Sequence, residues 1–108
     1  MRPVNLKNKI LSDIRTSVFD ILPGSEIILF GSRARNDAKD DSDYDLLIIV
    51  SSSLLPSDRL KFQALIRKNL VAQNILADVI VQSRSDVELK KNFPGHIVRS
   101  ALKEGVNV

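Results

Sequence analysis

Hydrophobic residues alternate along this chain between two periods. Residues 5–22 carry Leu6, Ile10, Ile14, Val18, Ile21 and Leu22 at close to 3.6-residue spacing, which predicts an amphipathic helix laid on a core. Pro23-Gly24 stops it. Residues 26–30 (EIILF) form a short β-branched apolar run and predict a buried strand. Gly31-Ser32 breaks that strand, and residues 33–42 are polar and irregular, with one helical turn expected after Ser32. Residues 43–50 (DYDLLIIV) begin in alternation and end as an unbroken apolar run, the pattern of a strand covered on both faces. A serine-rich loop over 51–57 follows, in which Ser57 is placed to cap a second helix at 58–73, with Phe62, Leu65, Ile66 and Leu70 on one side. Residues 75–81 (ILADVIV) predict a third strand. Ser85 and Glu88 have the spacing of a capping box for a short helix that Phe93-Pro94-Gly95 ends. Residues 96–103 predict a last helix, with Gly105 set to stop it.

Helices alternating with strands predict an α/β (α+β) layer: a small mixed sheet with helices packed on it. A chain of 108 residues corresponds to a single domain, 1–108, able to bury about two thirds of its unfolded surface. No apolar run approaches the roughly 20 residues that span a bilayer, and the first nine residues lack the apolar stretch of a secretory signal. The absence of cysteine excludes disulfides, thiolate metal ligands and a cysteine nucleophile, and fits a reducing, cytoplasmic setting. A formal net charge of +3 is too small to predict direct nucleic-acid binding. Placement of the acids matters more. Of the thirteen acidic residues, Asp37, Asp40, Asp41, Asp43, Asp45 and Asp78 occupy one loop-and-strand stretch and one later strand.

Three features carry the candidate chemistry. Gly31-Ser32 directly follows a strand; a glycine there lets backbone approach a ligand closely, and unpaired N–H groups at a helix start favour an anion such as phosphate. Most strand-Gly-Ser sequences are plain turns, so this feature is weak alone. Asp43 and Asp45 lie two apart at the head of an apolar strand and so project from the same face. Two carboxylates that close repel unless a cation lies between them, and oxygen-only ligands point to Mg²⁺ or Mn²⁺ rather than zinc; two stray acids on a solvated strand end are the bland alternative. Asp78 stands inside an apolar strand, where an acid is costly unless it ligates a metal or is paired with an Arg or backbone N–H groups. A calcium loop over 41–52 fails, because Leu46 and Ser52 stand where that loop requires Gly and Glu.

The segment GSRARNDAKDDSDYDLLIIV resembles the Gly-Ser-x-Ala-Arg-Gly-x5-Ser-Asp-x-Asp-Leu signature of the DNA polymerase beta-like nucleotidyltransferase superfamily. More closely, the chain is similar to the minimal nucleotidyltransferases (MNT), the antitoxin halves of two-gene MNT–HEPN systems. Gly31, Ser32, Ala34, Arg35, Ser42, Asp43, Asp45 and Leu46 fall in register, Asp78 takes the place of the third carboxylate, and residues 101–106 (ALKEGV) look like the family's usual close. Asn36 stands where the family has glycine; Asn is the non-glycine residue that best tolerates a left-handed backbone.

The resemblance implies a transferase that moves a nucleoside monophosphate, AMP first among them, from ATP or another nucleoside triphosphate to an acceptor hydroxyl. It implies two Mg²⁺ ions, with Mn²⁺ as substitute, held by Asp43, Asp45 and Asp78, and Asp78 also as general base. Gly31 and Ser32 would cradle phosphates, with Arg33, Arg35 and Lys39 neutralising their charge; singly, each of these cations is as well explained as a solvated loop charge. The implied acceptor is a HEPN-family toxin, because a chain this short has no further domain to bind one; a homo-oligomer or hetero-complex goes with that. The alternatives are a non-catalytic antitoxin that binds by contact alone, and a transferase acting on a small aminoglycoside-like molecule with a second subunit. Tyr44 points away from the carboxylates by strand alternation. His96 reads as structural, Phe93 and Pro94 as packed, and Ile97, Val98 and Leu102 as core rather than partner surface.

Overall fold

The computed structural model describes residues 6–39 and 41–108. Among them the chain forms α1 (Leu6–Ile21), β1 (Glu26–Phe30), α2 (Ser32–Arg35), β2 (Tyr44–Val50), α3 (Pro56–Val71), β3 (Ala77–Ser83), α4 (Arg84–Lys90), α5 (Ile97–Glu104) and β4 (Val106–Asn107). The strands make one four-stranded sheet in the order β3-β2-β1-β4. β1 runs antiparallel to both β2 and β4, while β2 and β3 are parallel and are joined through α3. The sheet is mixed, as the alternation of periods predicts. The expected first residue of α1, Asn5, lies outside the described residues.

Both faces of the sheet are covered. On one face, Ile27, Leu29, Leu46, Ile48, Val79 and Val81 pack with Ile14 and Val18 of α1 and Ile66 and Leu70 of α3. On the other, Ile28, Phe30, Leu47 and Ile49 pack with Val87 of α4 and Val98 and Ala101 of α5. The continuous run Leu46–Ile49 thus divides residue by residue between two cores, since successive strand side chains point to opposite faces. Each fully buried aliphatic side chain there contributes roughly 1.5–3 kcal/mol.

Several boundaries differ from the sequence expectation, each for a local reason. α3 begins at Pro56 and not at 58; Leu55 takes the extended N-cap position without a side-chain cap, so Ser57 does not cap it. Proline suits that first helical position because its fixed φ is already helical and its missing N–H would have had no partner. Leu65 is exposed although it shares the helix with buried Ile66 and Leu70. α3 closes through Asn74, whose left-handed backbone (φ 62°) lets the Ile75 N–H reach the Leu70 carbonyl at 2.9 Å. β3 therefore starts at Ala77, two residues late. It continues to Ser83 because Gln82 and Ser83 still pair with Ile49 and Val50.

The capping box is not formed by Ser85: Ser83 caps α4, its hydroxyl accepting from the Asp86 N–H at 3.2 Å. His96 caps α5, with Nδ1 accepting from the Val98 N–H at 3.1 Å, a structural role as expected. Phe93 and Pro94, expected to pack, are exposed, and Phe93 only edges against the His96 ring. Of the α5 apolar edge, Val98 is buried while Ile97 and Leu102 are exposed.

β4 was not expected. It is two residues long and carries too little apolar signal to announce itself; its pairing of Val106 with Leu29 and Asn107 with Ile28 exists only because α5 returns the chain to β1. Gly105 joins the two elements. Its backbone is extended rather than left-handed (φ −77°), so its value is the missing side chain: a Cβ would stand 2.3 Å from both the Ala101 carbonyl oxygen and the Ile28 side chain.

We expect Gly105→Ala to cost on the order of 1–3 kcal/mol by overpacking. Gly24 needs glycine for a positive φ (77°) but has open space around it, so Gly24→Ala should cost only the left-handed backbone strain, about 1 kcal/mol, with no clash added. Urea unfolding of the two variants checks the order; equal losses would show that the Gly105 contact relaxes freely.

Candidate active site

The site lies where β1 ends and β2 and β3 begin. At Gly31 the chain leaves the sheet with φ 73°, a conformation that L side chains resist, and turns into the single helical turn of α2. The Gly31 carbonyl accepts from the N–H groups of Ala34 and Arg35 at 3.1 Å each. The short helix closes at Asn36 in the left-handed conformation (φ 62°, ψ 27°) with its N–H bonded to the Ser32 carbonyl. Here Asn does what glycine would do, at the steric cost that Asn bears best. The following loop folds back through Ser42, whose hydroxyl accepts the Lys39 N–H at 2.9 Å while its own N–H reaches the Lys39 carbonyl at 3.0 Å. A serine at that position of the motif is thus explained by the turn it closes.

That turn delivers Asp43 just ahead of β2 and Asp45 as its second residue. Parallel pairing sets Asp45 beside Asp78, and antiparallel pairing sets it beside Phe30. Adjacent strands lie about 4.8 Å apart. By alternation Asp45 and Asp78 share the sheet face of Leu47, Ile49 and Ile80, whereas Tyr44 is buried on the opposite face, as expected. The Asp45 carboxylate rests directly on Gly31: a Cβ at that glycine would stand 2.2 Å from Asp45 Oδ2. The three features picked out along the sequence therefore meet at one end of the sheet.

The electrostatics are those of an unneutralised acid cluster. Burial is the largest influence on Asp45 and raises its pKa; the charges of Asp78, Asp43 and, last, Glu104 push the same way, against a lowering by Arg35. Among the described residues the carboxylates of Asp43, Asp45 and Asp78 make no hydrogen bond or ion pair with a side chain. Asp43 and Asp78 are exposed, so Asp78 is not an acid buried in an apolar strand; it stands at the open end of β3. Among the described residues no three acidic or histidine side chains are drawn together closely enough to form a ready-made metal cage. The donor set is nevertheless of the right kind: oxygen ligands on neighbouring strands whose mutual repulsion a divalent cation would relieve.

A nucleotidyltransferase domain model matches residues 11–108, nearly the whole chain. The chain belongs to the nucleotidyltransferase domain family. Its fold is similar to that of a chain in the complex of tri-AMPylated Shewanella oneidensis HEPN toxin with MNT antitoxin, at 17% identity and a TM-score of 0.57, covering 94% of this chain and 71% of that one. It is also similar to a chain in a toxin–antitoxin crystal structure with AMP-PNP, at 21% identity and a TM-score of 0.53, covering 95% and 72%. No curated protein matches it. Among the described residues no helix is long and apolar enough to cross a membrane.

Within this nucleotidyltransferase domain the basic residues of the motif divide. Arg35 faces the carboxylate end: its Nε donates to Asp37 at 3.1 Å and its Nη1 to both carboxylate oxygens of Glu104 at 3.3 Å. Arg33 is turned elsewhere. Its guanidinium lies 4.6 Å from the centre of the Tyr44 ring and donates twice to the Ser42 carbonyl, at 2.8 and 3.2 Å, so it clamps the loop ahead of Asp43. A cavity of about 580 Å³ opens on that Tyr44 face, between Arg33, Tyr44 and Ile75, and not among the carboxylates.

Glu104 was missed by sequence reasoning as a site residue. Its Oε1 accepts the Gly31 N–H at 3.1 Å, across 73 residues. No local pattern marks it, because only the β1–β4 pairing carries it there.

Two predictions follow from this geometry. Because burial and neighbouring acids raise the Asp45 pKa on folding, its charge opposes folding at neutral pH; the cost diminishes as pH falls through the raised value and is gone below about 4, where the unfolded carboxyl is protonated too. Without divalent cations, Asp45→Asn should therefore melt higher than the parent at pH 7, with the gap closing near pH 4. Mn²⁺ should raise the parent's melting temperature and leave the Asn variant's nearly unchanged. Differential scanning calorimetry checks both, and a pH-independent gap would contradict the assignment. At position 36, Asn36→Val should be less stable than Asn36→Gly by on the order of 1–2 kcal/mol, because it forces a β-branched residue to positive φ; chemical denaturation of the two variants reads this.

Proposed function

We propose that this chain transfers a nucleoside monophosphate, AMP foremost, from a nucleoside triphosphate to a hydroxyl on a HEPN-type partner protein, and so acts as an antitoxin. The observation that carries the reading is the convergence of Asp45, Asp78 and the Gly31 turn at one end of the sheet, with Asp43 acting electrostatically on the same carboxylate. Family membership supports transferase chemistry. The partner is suggested by the likeness to a chain from a complex of AMPylated HEPN toxin with MNT antitoxin, and a chain from a toxin–antitoxin structure with AMP-PNP adds the nucleotide.

Asp43, Asp45 and Asp78 would hold Mg²⁺ or Mn²⁺, which when bound supplies neutralisation of the triphosphate and a lowered pKa for the acceptor hydroxyl. The chain's own residues do the rest. The Gly31-Ser32 turn would offer main-chain N–H groups to the phosphates, glycine adding no side chain of its own. Arg35 adds a fixed positive charge next to that turn. Asp78, exposed at the end of β3, is open to an acceptor hydroxyl and can take its proton. Arg33 contributes by holding the loop that presents Asp43, and the phosphate-facing set narrows to Gly31, Ser32 and Arg35. A protein acceptor implies a hetero-complex, and a cytoplasmic location accompanies use of a nucleoside triphosphate. The binding-only reading drew its support from Asn36, which here keeps the left-handed backbone of the motif glycine.

Incubation with a HEPN-type partner, Mg²⁺ and α-labelled ATP should label the partner. Asp43→Asn and Asp45→Asn should each reduce labelling at least a hundredfold, roughly the 3 kcal/mol scale of losing transition-state charge stabilisation. Absence of label with the parent chain, together with toxin neutralisation that survives both substitutions, would replace the transferase reading with contact inhibition.

A further inference from the structure

The Gly31 turn already holds an anion. Glu104, the last residue of α5, accepts the Gly31 N–H at 3.1 Å and lies 3.3 Å from Arg35 Nη1 through both carboxylate oxygens. The fold builds this contact deliberately. Antiparallel pairing sets Val106 opposite Leu29, and continuing that register two residues outward brings Glu104 opposite Gly31. Gly105, where any side chain would strike Ala101 and Ile28, permits the approach.

A main-chain N–H at a glycine turn together with a guanidinium is a donor set suited to a phosphate oxygen. A carboxylate satisfies the same geometry. There Glu104 adds its charge to those of Asp43 and Asp78 around Asp45. It is held only at the surface, with its side chain 34% exposed and Arg35 49% exposed, so it can swing into solvent without unfolding α5.

We propose that Glu104 is an internal stand-in for phosphate. In the nucleotide-free chain it occupies the Gly31 N–H and the Nη1 edge of Arg35, and a triphosphate enters by displacing it. The inference rests on the nucleotidyltransferase reading of the site. Displacement frees the glycine turn and one edge of Arg35 while Asp37 keeps Nε in place, so the guanidinium is handed from carboxylate to phosphate without losing its orientation. The stand-in also keeps the turn and Arg35 arranged in the absence of nucleotide, at the cost of a weaker apparent nucleotide affinity.

Calorimetric titration of the full chain with AMP-PNP and Mg²⁺ tests this. Glu104→Gln keeps the shape and a carbonyl acceptor while removing the charge, and it should bind AMP-PNP more tightly, on the order of fivefold, the scale of one half-exposed charged contact. Equal affinity would overturn the proposal, and weaker binding would overturn it by making Glu104 part of the nucleotide's own binding set. A second measurement needs no variant: in a crystal structure of the parent chain saturated with AMP-PNP and Mn²⁺, the Glu104–Gly31 hydrogen bond should be broken, and an intact bond refutes displacement. Failure of the underlying reading looks different. The parent chain would then bind no AMP-PNP and transfer no label, whereas failure of the stand-in alone leaves the parent's binding and transfer in place.

Discussion

The Asp45 carboxylate lies against Gly31, brought there by the register of β1 on β2. Phe30 lies opposite Asp45, so the residue after Phe30 must turn away at the point where an acid projects. Glycine suits that turn on two counts: it adopts the φ of 73° without strain, and a Cβ there would stand 2.2 Å from Asp45 Oδ2, so any other residue would have to push that carboxylate aside. One contact thus ties the phosphate-type turn to the carboxylate strand.

The contact is tolerable because the rest of the sheet is so thoroughly apolar. Leu46, Leu47, Ile48 and Ile49 are all buried, alternately against the α1–α3 layer and the α4–α5 layer. A one-residue slip of β2 would bring Asp45 to the wrong face and reverse all four of its buried neighbours, which fixes the register that places Asp45 against both Gly31 and Asp78. The repulsion stored among the acids is small beside that burial and is concentrated at the open end of the sheet, where a cation or a substrate can relieve it.

Electrostatic logic at this end is one of shared partners. Arg35 is divided between Asp37 and Glu104, Gly31 donates to Glu104, and Arg33 is spent on holding the Ser42 carbonyl against Tyr44. Motif positions that look alike in sequence, two arginines two residues apart, have separate tasks because one helical turn sends their side chains in different directions.

Periodicity alone was enough for α1, β1 and the apolar body of β2, while composition with spacing marked Gly31, Asp43, Asp45 and Asp78 as candidates. These signals are local: a helix face, a strand's alternation and an unexplained acid are all visible within a few residues. The misjudged ends were also local in origin but hidden by better-known signals, with Pro56 opening α3 ahead of Ser57 and Ser83 capping α4 ahead of Ser85. β4, the burial split along α5, the turning away of Arg33 and the arrival of Glu104 at Gly31 had no local signature. Each depends on which strands become neighbours across many residues, and that pairing is settled by how both faces of the sheet are buried at once, a property of the folded chain and of no segment within it.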